Sequence, residues 1–412
     1  MKKIRSVATV VLVSVPVSLG TAAVACGSYE SEADNTGGTG GMGGGAAGSD
    51  LPELPPATPP CDVLESNGHP CVSAHSTVRV LRSAYTGPLY QLCRGTAAPG
   101  PSSCQGETQD IYPVEGGYAD ADTHEEFCEG ALCTITKLYD QAAHASGPQN
   151  DLEPAPRGGM KPTPGDPVNA MDLPVTINKQ VVYGMKFRPG MGYRTGCNEC
   201  NIQTGTDIAV DDEPQSIYMV TSQEDLIDGC CFDYGNAEVT CNDDGNGTME
   251  TVYFGMGVIW GTGSGEGPWV MADLENGLYA GWENGQDQGI STNLPLQHEF
   301  VTAVVVGDTA DAIVIDGVNK GRFALYGGDA TAGPLQTMYD GIRPEKPGYV
   351  PMQKQGSIIL GIGGDNSDGD GGRFYEGVMV NGAITPRDAA AGTPIVDALQ
   401  DAIVAAGYGY GS

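Results

Sequence analysis

Apolar residues occur along the chain in short runs that Gly, Pro, Asn and Asp interrupt. Runs of this length with frequent turn residues are typical of β-strands, because helices need longer amphipathic stretches. A chain built from many such strands is expected to form an antiparallel β-sandwich or a barrel. We predict strands within residues 78–84, 133–139, 180–187, 216–221, 251–254, 300–306, 312–315, 357–362 and 374–380.

One segment near the C-terminus, residues 393–405, has the pattern of a helix. Its apolar residues recur every four positions and therefore share one face: Ile395, Leu399 and Ile403. Thr393 is expected as the N-cap and Pro394 at the first helical position. We predict a short helix that packs on the outside of the sheets.

Residues 269–275 alternate between two kinds of side chain. On a strand, Trp269, Met271, Asp273 and Glu275 would share one face, and Val270, Ala272 and Leu274 the other. A core does not accept two uncompensated carboxylates, so the acidic face must be wet or functional. All three tryptophans lie in or just after residues 260–276. Because a Trp ring covers the C–H face of a sugar and carboxylates bind its hydroxyls, this pattern favours a sugar site. The alternative is an exposed acidic strand with incidental tryptophans.

The N-terminus has the pattern of an export signal. Residues 1–25 combine a basic start, an apolar stretch and a small-x-small cleavage site. Cys26 follows at once, as in a bacterial lipoprotein, and is a candidate for lipidation. Residues 26–58 are rich in Gly and then in Pro, a composition that indicates a flexible tether. We predict one large β-sandwich domain at 59–412, an exported location at the cell surface or outer membrane or in the medium, and membrane contact only through the lipid anchor.

The chain is strongly acidic, with 52 Asp and Glu against 20 Lys and Arg in 412 residues and a formal charge of −32. Such a surface repels phosphate backbones, so we expect no binding to nucleic acid. Neutral glycans carry no such penalty.

Twelve cysteines in an exported chain indicate disulfides. Short spacings suggest three pairs: Cys61 with Cys71, Cys93 with Cys104, and Cys128 with Cys133. The CxxC motif at 197–200 is either half of a zinc site or a disulfide, and no second ligand pair completes a zinc site. Adjacent Cys230 and Cys231 are expected in two separate bridges, because a ring closed between neighbours is strained.

Several segments together resemble a known family. They are CVSAHST at 71–77, AYTGPLY at 84–90, GCCFDYGNAE at 229–238, WGTGSGEGPWVMADLEN at 260–276 and GIGGDN at 361–366. In this order they resemble the catalytic domain of the α-L-arabinofuranosidases of glycoside hydrolase family 54. The resemblance implies an all-β, concanavalin-like antiparallel β-sandwich of the jelly-roll type. It also implies a retaining exo-hydrolase that removes terminal arabinofuranose from arabinoxylan, arabinan or derived oligosaccharides.

The resemblance further implies roles for individual residues. Glu275 would be the nucleophile and Asp365 the general acid/base. Other matched residues would contact the sugar: Asp273, Asn276, Trp260, Cys230, Cys231, Gly364 and Asn366. If the resemblance holds, the substrate is a plant cell-wall polysaccharide or oligosaccharide. We expect that the protein needs no cofactor or metal and that it is a monomer.

The resemblance also changes the expected disulfides. Cys230 and Cys231 would form a vicinal disulfide against the arabinose, which replaces the expectation of two separate bridges. The pairs Cys61/Cys71 and Cys128/Cys133 match family disulfides. The resemblance leaves the partners of the remaining cysteines open: Cys93, Cys104, Cys197, Cys200 and Cys241.

Alternatives remain for both the site and the function. Residues 366–371 approximate the start of an EF-hand loop, which would make Asp368 and Asp370 calcium ligands, although the twelfth position is Gly377. A lectin-like surface protein that binds glycans without cleaving them is the alternative function from another class. A related furanosidase or xylosidase is the alternative within the same class.

Overall fold

The computed structural model describes residues 52–95, 104–147, 149–157, 163–195, 204–283, 292–384 and 394–412. The helices are α1 (Pro60–Ser66), α2 (Ala121–Cys128) and α3 (Ile395–Val404). The strands are β1 (Cys71–Ser76), β2 (Tyr90–Arg94), β3 (Glu107–Ile111), β4 (Cys133–Leu138), β5 (Leu152–Pro154), β6 (Pro156–Arg157), β7 (Thr163–Pro164), β8 (Pro174–Ile177), β9 (Gln180–Tyr183), β10 (Met185–Phe187), β11 (Tyr193–Thr195), β12 (Gln215–Thr221), β13 (Asp233–Ala237), β14 (Glu250–Gly255), β15 (Trp269–Asp273), β16 (Leu278–Tyr279), β17 (Val301–Gly307), β18 (Val314–Ile315), β19 (Val318–Asn319), β20 (Phe323–Asp329), β21 (Gln336–Gly341), β22 (Ser357–Leu360) and β23 (Gly372–Asn381). In this part of the chain no helix has the length and apolar character needed to cross a bilayer.

Two large antiparallel sheets face each other. One has the order β1-β23-β12-β17-β20-β21, with β10 also paired to β23. The other has the order β16-β15-β14-β13-β22-β11-β5-β4-β2-β3. Strand β14 packs on β12 and β17, and β15 packs on β17 and β20, so the core lies between the sheets. The prediction of an all-β antiparallel sandwich is therefore confirmed.

Strands in the middle of the sandwich are buried along their whole length, as β12, β15 and β17 show. Their apolar runs are nearly continuous because both faces of each strand are covered. Strand β15 is one of these, so the predicted division into a core face and a wet face is wrong for its Trp269 and Met271, which are both buried.

Most of the predicted strand regions contain strands, but the segment 78–84 forms only an isolated bridge between Arg79 and Tyr118. The hydroxyl of Ser76 accepts the backbone N–H of Val78 and of Arg79 at 3.1 Å, which turns the chain out of the sheet. The Arg79 side chain then points inward and binds Glu376 at 2.6 Å.

Helix α3 places its three predicted apolar residues in the core, as the spacing of four requires. Pro394 precedes the first helical residue and occupies the N-cap, so its predicted place inside the helix is wrong by one position. Thr393 lies outside the described residues. The helix packs at the end of β20, where Gln400 Nε2 donates to the carbonyl of Asp329 at 2.8 Å.

Four disulfides are present among the described residues: Cys61–Cys71, Cys93–Cys104, Cys128–Cys133 and Cys230–Cys231. The three pairs expected from spacing are thus confirmed, and so is the vicinal disulfide that the resemblance implies, which overturns the first expectation of two separate bridges. Cys241 is buried, while Cys26, Cys197 and Cys200 lie outside the described residues. Disulfides of this number are typical of exported proteins.

Candidate active site

A cavity of about 150 Å³ lies beside the ten-stranded sheet, where residues of three loops come together. The loops follow β15, precede β13 and follow β22, which are close neighbours in that sheet. The cavity is lined by Cys230, Cys231, Asp243, Trp260, Asp273, Glu275, Asn276, Gly277, Leu278, Gly363, Gly364, Asp365 and Ser367.

Glu275 lies in a tight turn that follows β15. The strand ends at Asp273, and Glu275 and Asn276 have φ values of +63° and +59°. The backbone N–H of Glu275 donates to Asp273 Oδ1 at 3.0 Å, and Tyr349 Oη donates to the Glu275 carbonyl at 2.7 Å. Positive φ is rare for residues other than glycine and costs of order 1–3 kcal/mol, so these bonds fix an unfavourable backbone.

The placement of Glu275 differs from the predicted one. Strand alternation was expected to extend to Glu275, but the turn after Asp273 ends the alternation. Both side chains nevertheless line the cavity, because the turn folds Glu275 back over Asp273.

Asp365 lies in a second turn, at residues 363–367, after β22. Gly363 N–H donates to the Ser367 carbonyl and Asn366 N–H donates to the Gly363 carbonyl, both at 3.0 Å. Asp365 Oδ1 accepts the backbone N–H of Ser367 at 2.8 Å. The Asp365 side chain is thereby held at the cavity, where it is only partly buried.

Arg194 on β11 holds this second turn from behind. The guanidinium group is fully buried and donates to the carbonyl of Gly364 at 2.8 Å and to Asn366 Oδ1. It also donates to the carbonyl of Glu238, which follows β13. One side chain therefore joins β11, the end of β13 and the turn that carries Asp365.

Trp260 and the vicinal disulfide line the cavity beside the carboxyl groups. Trp260 is 48% exposed, and its carbonyl accepts the N–H of Leu278 at 3.1 Å. Cys231 Sγ lies 3.4 Å from Asp273 Oδ2. The other two tryptophans, Trp269 and Trp282, are buried in the core, so the cluster of three in the sequence contributes only one to the cavity.

Four carboxyl groups form two pairs at the base of the cavity. Asp273 lies against Asp233, and Glu275 lies against Glu238. All four are at most 8% exposed. Two carboxyl groups in contact can form a hydrogen bond only if one of them carries a proton.

Burial raises the pKa of each of these groups, and neighbouring carboxylate charges raise the pKa values of Asp233, Asp273 and Glu275 further. Burial, followed by the charges of Glu238 and Asp273, raises the pKa of Glu275 to about 11. Burial also raises the pKa of Asp273 to about 7, and the charges of Glu238 and Asp365 act in the same direction. Since the two pairs cannot all ionise together, the site holds protons at neutral pH.

The described residues offer little support for a metal site. One group of ligand atoms lies close enough together to hold a metal ion: the sulfurs of Cys230 and Cys231 and the carboxylate of Asp273. The two sulfurs are joined to each other, so they do not supply thiolates. The alternative calcium ligands are also engaged elsewhere, since Asp368 binds Arg157 at 2.7 Å and Asp370 accepts from Tyr253 at 3.1 Å.

Comparison with known proteins identifies the family. The family model described as the catalytic domain of alpha-L-arabinofuranosidase B matches residues 60–409. The chain belongs to that family. The resemblance to glycoside hydrolase family 54 that the sequence motifs carry is thus confirmed.

Relatives of the family 54 chain include a probable alpha-L-arabinofuranosidase B of Aspergillus fumigatus, 45% identical over 354 residues, and an arabinofuranosidase/B-xylosidase of Trichoderma koningii, 44% identical over 356 residues. Each match covers 85% of this chain, and 62% and 63% of the two relatives. This chain therefore spans less than two thirds of the length of these curated relatives.

Solved structures of the family are also similar. An arabinofuranosidase complexed with arabinofuranosyl-α-1,2-xylobiose is 40% identical, with a TM-score of 0.73 over 85% of this chain and 66% of the other. A family 54 enzyme with a Glu-to-Gln substitution, soaked with 4-nitrophenyl α-L-arabinofuranoside, is also 40% identical, with a TM-score of 0.72 and the same coverage.

The family 54 domain brings most of the predicted site residues to one cavity, but not Asn366. Its side chain is fully buried and its Oδ1 accepts from Arg194. Asn366 therefore lies behind the turn, where it supports Asp365, and we do not assign it a contact with substrate.

Sequence reasoning overlooked four residues of the site: Asp233, Glu238, Arg194 and Asp243. The first three are fully buried charged residues next to or within apolar strands. That position is itself a signal, because an ionisable group is placed in a core only with specific partners. Asp243 lines the cavity and accepts from Asn276 Nδ2 at 3.0 Å. Nothing in its surroundings in the sequence points to this role.

Proposed function

We propose that this chain is a retaining exo-α-L-arabinofuranosidase in which Glu275 is the nucleophile and Asp365 the general acid/base. The observation that carries the proposal is that these two carboxyl groups come from separate turns and line one cavity. Membership of a family whose relatives bear the name alpha-L-arabinofuranosidase B supports the substrate.

In the first step Glu275 attacks the anomeric carbon while Asp365 gives its proton to the departing oxygen. The bond from the anomeric carbon to that oxygen breaks, and a glycosyl ester of Glu275 forms. The rigid turn at Glu275, held by Asp273 and Tyr349, suits a nucleophile because it fixes the carboxyl group without a loss of entropy at each turnover.

In the second step Asp365 takes a proton from water, and the water oxygen attacks the same carbon from the face that the leaving group vacated. Glu275 departs as a carboxylate, so two inversions give net retention. Asp365 suits the change from acid to base because it is the more exposed of the two groups.

The remaining residues of the cavity bind the sugar in this scheme. Asp273 accepts hydrogen bonds from hydroxyl groups of the sugar, and Asn276 donates hydrogen bonds to them. Trp260 forms an apolar wall. The disulfide of Cys230 and Cys231 forms the floor. Gly364 lies between the cavity and Glu238, where a Cβ would overlap Glu238 Oε2, so glycine brings the backbone close to the sugar.

The small size of the cavity supports an exo mode of action, in which a single terminal arabinofuranose enters. Arabinoxylan, arabinan and their oligosaccharides are the substrates we propose. The similar structure complexed with arabinofuranosyl-α-1,2-xylobiose supports arabinose linked to xylose among them.

A second activity on β-D-xylosides is a further candidate, because the Trichoderma koningii relative is named for both activities. Comparing kcat/KM on 4-nitrophenyl α-L-arabinofuranoside and on 4-nitrophenyl β-D-xylopyranoside separates the two. We expect the arabinofuranoside to be the better substrate. Binding of arabinose oligosaccharides without hydrolysis of either glycoside would instead favour a lectin-like protein.

The stereochemical outcome tests the mechanism apart from the substrate. Proton NMR during the first minutes of hydrolysis should show α-L-arabinofuranose as the first product. Initial formation of the β-anomer would contradict the two-step scheme, even if the enzyme proved active.

We also propose that the chain is exported and acts as a monomer anchored through a lipid on Cys26, the first residue after the predicted signal. Its disulfides agree with an oxidising compartment. Mass spectrometry of the mature N-terminus should find diacylglycerol on Cys26, and an unmodified residue there would exclude the anchor. Light scattering of the purified protein would reveal any larger assembly.

A further inference from the structure

Glu238 lies directly between the two turns that carry the proposed catalytic carboxyl groups. It follows β13, is fully buried, and lies against the carboxyl group of Glu275 on one side. On the other side its Oε2 atom lies so close to Gly364 that a Cβ there would overlap it. Glu238 does not line the cavity, so any effect it has on the reaction must pass through its neighbours.

The bonding around Glu238 leaves one place for a proton. Oε1 accepts the Thr248 hydroxyl at 2.6 Å, and the backbone carbonyl accepts from Arg194. No backbone N–H, amide or hydroxyl of the described residues donates to Oε2. The carboxyl group of Glu275 is therefore the group that can share a proton with Glu238.

A proton shared by these two groups conflicts with the work of a nucleophile. Glu275 can attack only as a carboxylate, because a protonated carboxyl group has lost the charge that makes it nucleophilic. Burial nevertheless raises the pKa values of both Glu275 and Glu238, so ionising both together at neutral pH is unfavourable. The conflict disappears if the proton sits on Glu238 at the moment of attack.

We propose that Glu238 is a positioning residue that holds the proton of the Glu238–Glu275 pair while Glu275 attacks. This inference rests on the proposed function. As Glu275 becomes a carboxylate its proton passes to Glu238, and the carboxylate then forms its bond to the anomeric carbon. The aglycone oxygen leaves with the proton of Asp365, so no proton of the pair is consumed. When water releases the sugar, Glu275 returns as a carboxylate and the pair shares its proton again.

Other charges surround the pair and remain unchanged in the test. The titratable and charged groups that face it are Asp243, Asp273, Tyr349 and Arg194, while Asp233 and Asp365 face Asp273. Because a coupled pair loses its protons in two steps, Glu238 and Glu275 together should contribute two titrations to any rate that depends on Glu275.

The inference is tested by Glu238→Gln, which keeps the shape of the side chain and can donate to Glu275 but cannot titrate. The probe is an arabinofuranose-configured cyclic sulfate, an electrophile whose leaving group needs no proton from Asp365. Inactivation rates measured from pH 4 to pH 10 then follow the nucleophile. We expect the variant to lose one of the titrations of the wild type and to shift the midpoint of the other by at least one pH unit. We also expect it to keep at least a tenth of the wild-type kcat on 4-nitrophenyl α-L-arabinofuranoside.

Glu238→Ala and Glu266→Gln complete the experiment. The alanine removes the only donor that the pair offers to the Glu275 carboxylate, which would then be buried without that partner, so its kcat should fall at least 100-fold. Glu266 is an exposed glutamate that does not line the cavity, and its glutamine variant should retain the wild-type profile. If the alanine variant does not fold, the pH profile of inactivation of Glu238→Gln tests the proposal by itself.

An unchanged inactivation profile in Glu238→Gln would overturn the inference while leaving the proposed function intact. A kcat that falls equally in the glutamine and alanine variants would also overturn it. A wild-type protein that is neither inactivated by the probe nor active on the aryl glycoside would overturn the inference and the proposed function together.

Discussion

Removing the guanidinium group of Arg194 should weaken both the fold and the step that needs a general acid. The group is fully buried and serves four acceptors on three segments: Ser357 Oγ at 3.3 Å, the carbonyl of Gly364 at 2.8 Å, Asn366 Oδ1 and the carbonyl of Glu238. Arg194→Met keeps the length of the side chain and removes every donor.

The size of the effect follows from these contacts. Each buried acceptor that loses its donor costs about 1–3 kcal/mol. Part of this cost is offset, because a buried cation no longer has to be desolvated. We expect a net loss of about 3–5 kcal/mol in the free energy of unfolding, less than the roughly 4–12 kcal/mol that four orphaned acceptors would cost without this offset. A domain with about 5–15 kcal/mol of stability remains folded in most of this range, so its activity can be measured.

The activity assay compares two leaving groups. A displacement of about 1 Å at a reacting group costs about 100-fold in rate. Because the turn held by Arg194 carries Asp365, the loss should be larger on methyl α-L-arabinofuranoside, whose departing oxygen needs a proton, than on the 4-nitrophenyl glycoside. We expect the ratio of the two kcat values to change by about 10-fold, in the same direction as in Asp365→Ala.

Arg157→Met is the matched control, because Arg157 binds Asp368 near the same turn at 2.7 Å but its side chain is 44% exposed. Such a surface pair contributes about 0–1 kcal/mol. A fully stable and active Arg194→Met variant would refute the reasoning. An equal loss on both glycosides would show that Arg194 does not act through the acid.

Gly364→Ala should lower kcat/KM at least 10-fold and cost about 1–3 kcal/mol in urea unfolding, because its Cβ has no space, whereas Gly369→Ala should change little. Asp273 has a pKa of about 7 in the fold, above its usual value, so its contribution to stability is present at low pH and is lost as the pH rises through 7. The free energies of unfolding measured in urea at pH 5 and pH 8 should therefore differ less in Asp273→Asn than in the wild type, by at least about 1 kcal/mol. Replacing Cys230 and Cys231 together by alanine should raise KM for the aryl arabinofuranoside at least 10-fold.

Each of these predictions has a contradicting result. Equal kcat/KM values in the two glycine variants would show that close approach at Gly364 is unimportant. Parallel pH profiles of stability in Asp273→Asn and the wild type would exclude ionisation of that residue as a cost to the fold. An unchanged KM in the variant without Cys230 and Cys231 would show that this disulfide does not contribute to sugar binding. The matched control is the double-alanine variant of Cys93 and Cys104, which lie far from the cavity in sequence and in strand order.

Much of the fold could be predicted from the apolar pattern, because buried strands such as β12 and β17 contain long apolar runs. Strand β13 was missed, since its sequence DYGNA contains polar residues that are stabilised only by partners in neighbouring strands and loops. At 78–84 the apolar pattern predicted a strand that does not form. There Arg79 is drawn inward by its ion pair with Glu376, a residue almost 300 positions away.

The candidate site could be predicted in part. Long motifs placed Glu275, Asp365 and the disulfide, which the structure brings to one cavity. Strand alternation could not foresee the turn at Glu275, because positive φ at a glutamate depends on bonds from Asp273 and Tyr349. The pairing of Glu275 with Glu238 was equally hidden, since it depends on how β13 and β15 are ordered in the sheet.

The central claim is that Glu275 attacks an arabinofuranoside in this cavity, and the rate of hydrolysis of 4-nitrophenyl α-L-arabinofuranoside by wild type and Glu275→Gln tests it most directly. The glutamine keeps the shape of the side chain but is not nucleophilic. The account predicts ready turnover by the wild type and a fall in kcat of at least 1,000-fold in the variant, with an unchanged circular dichroism spectrum. A folded variant that retains wild-type turnover would contradict the account.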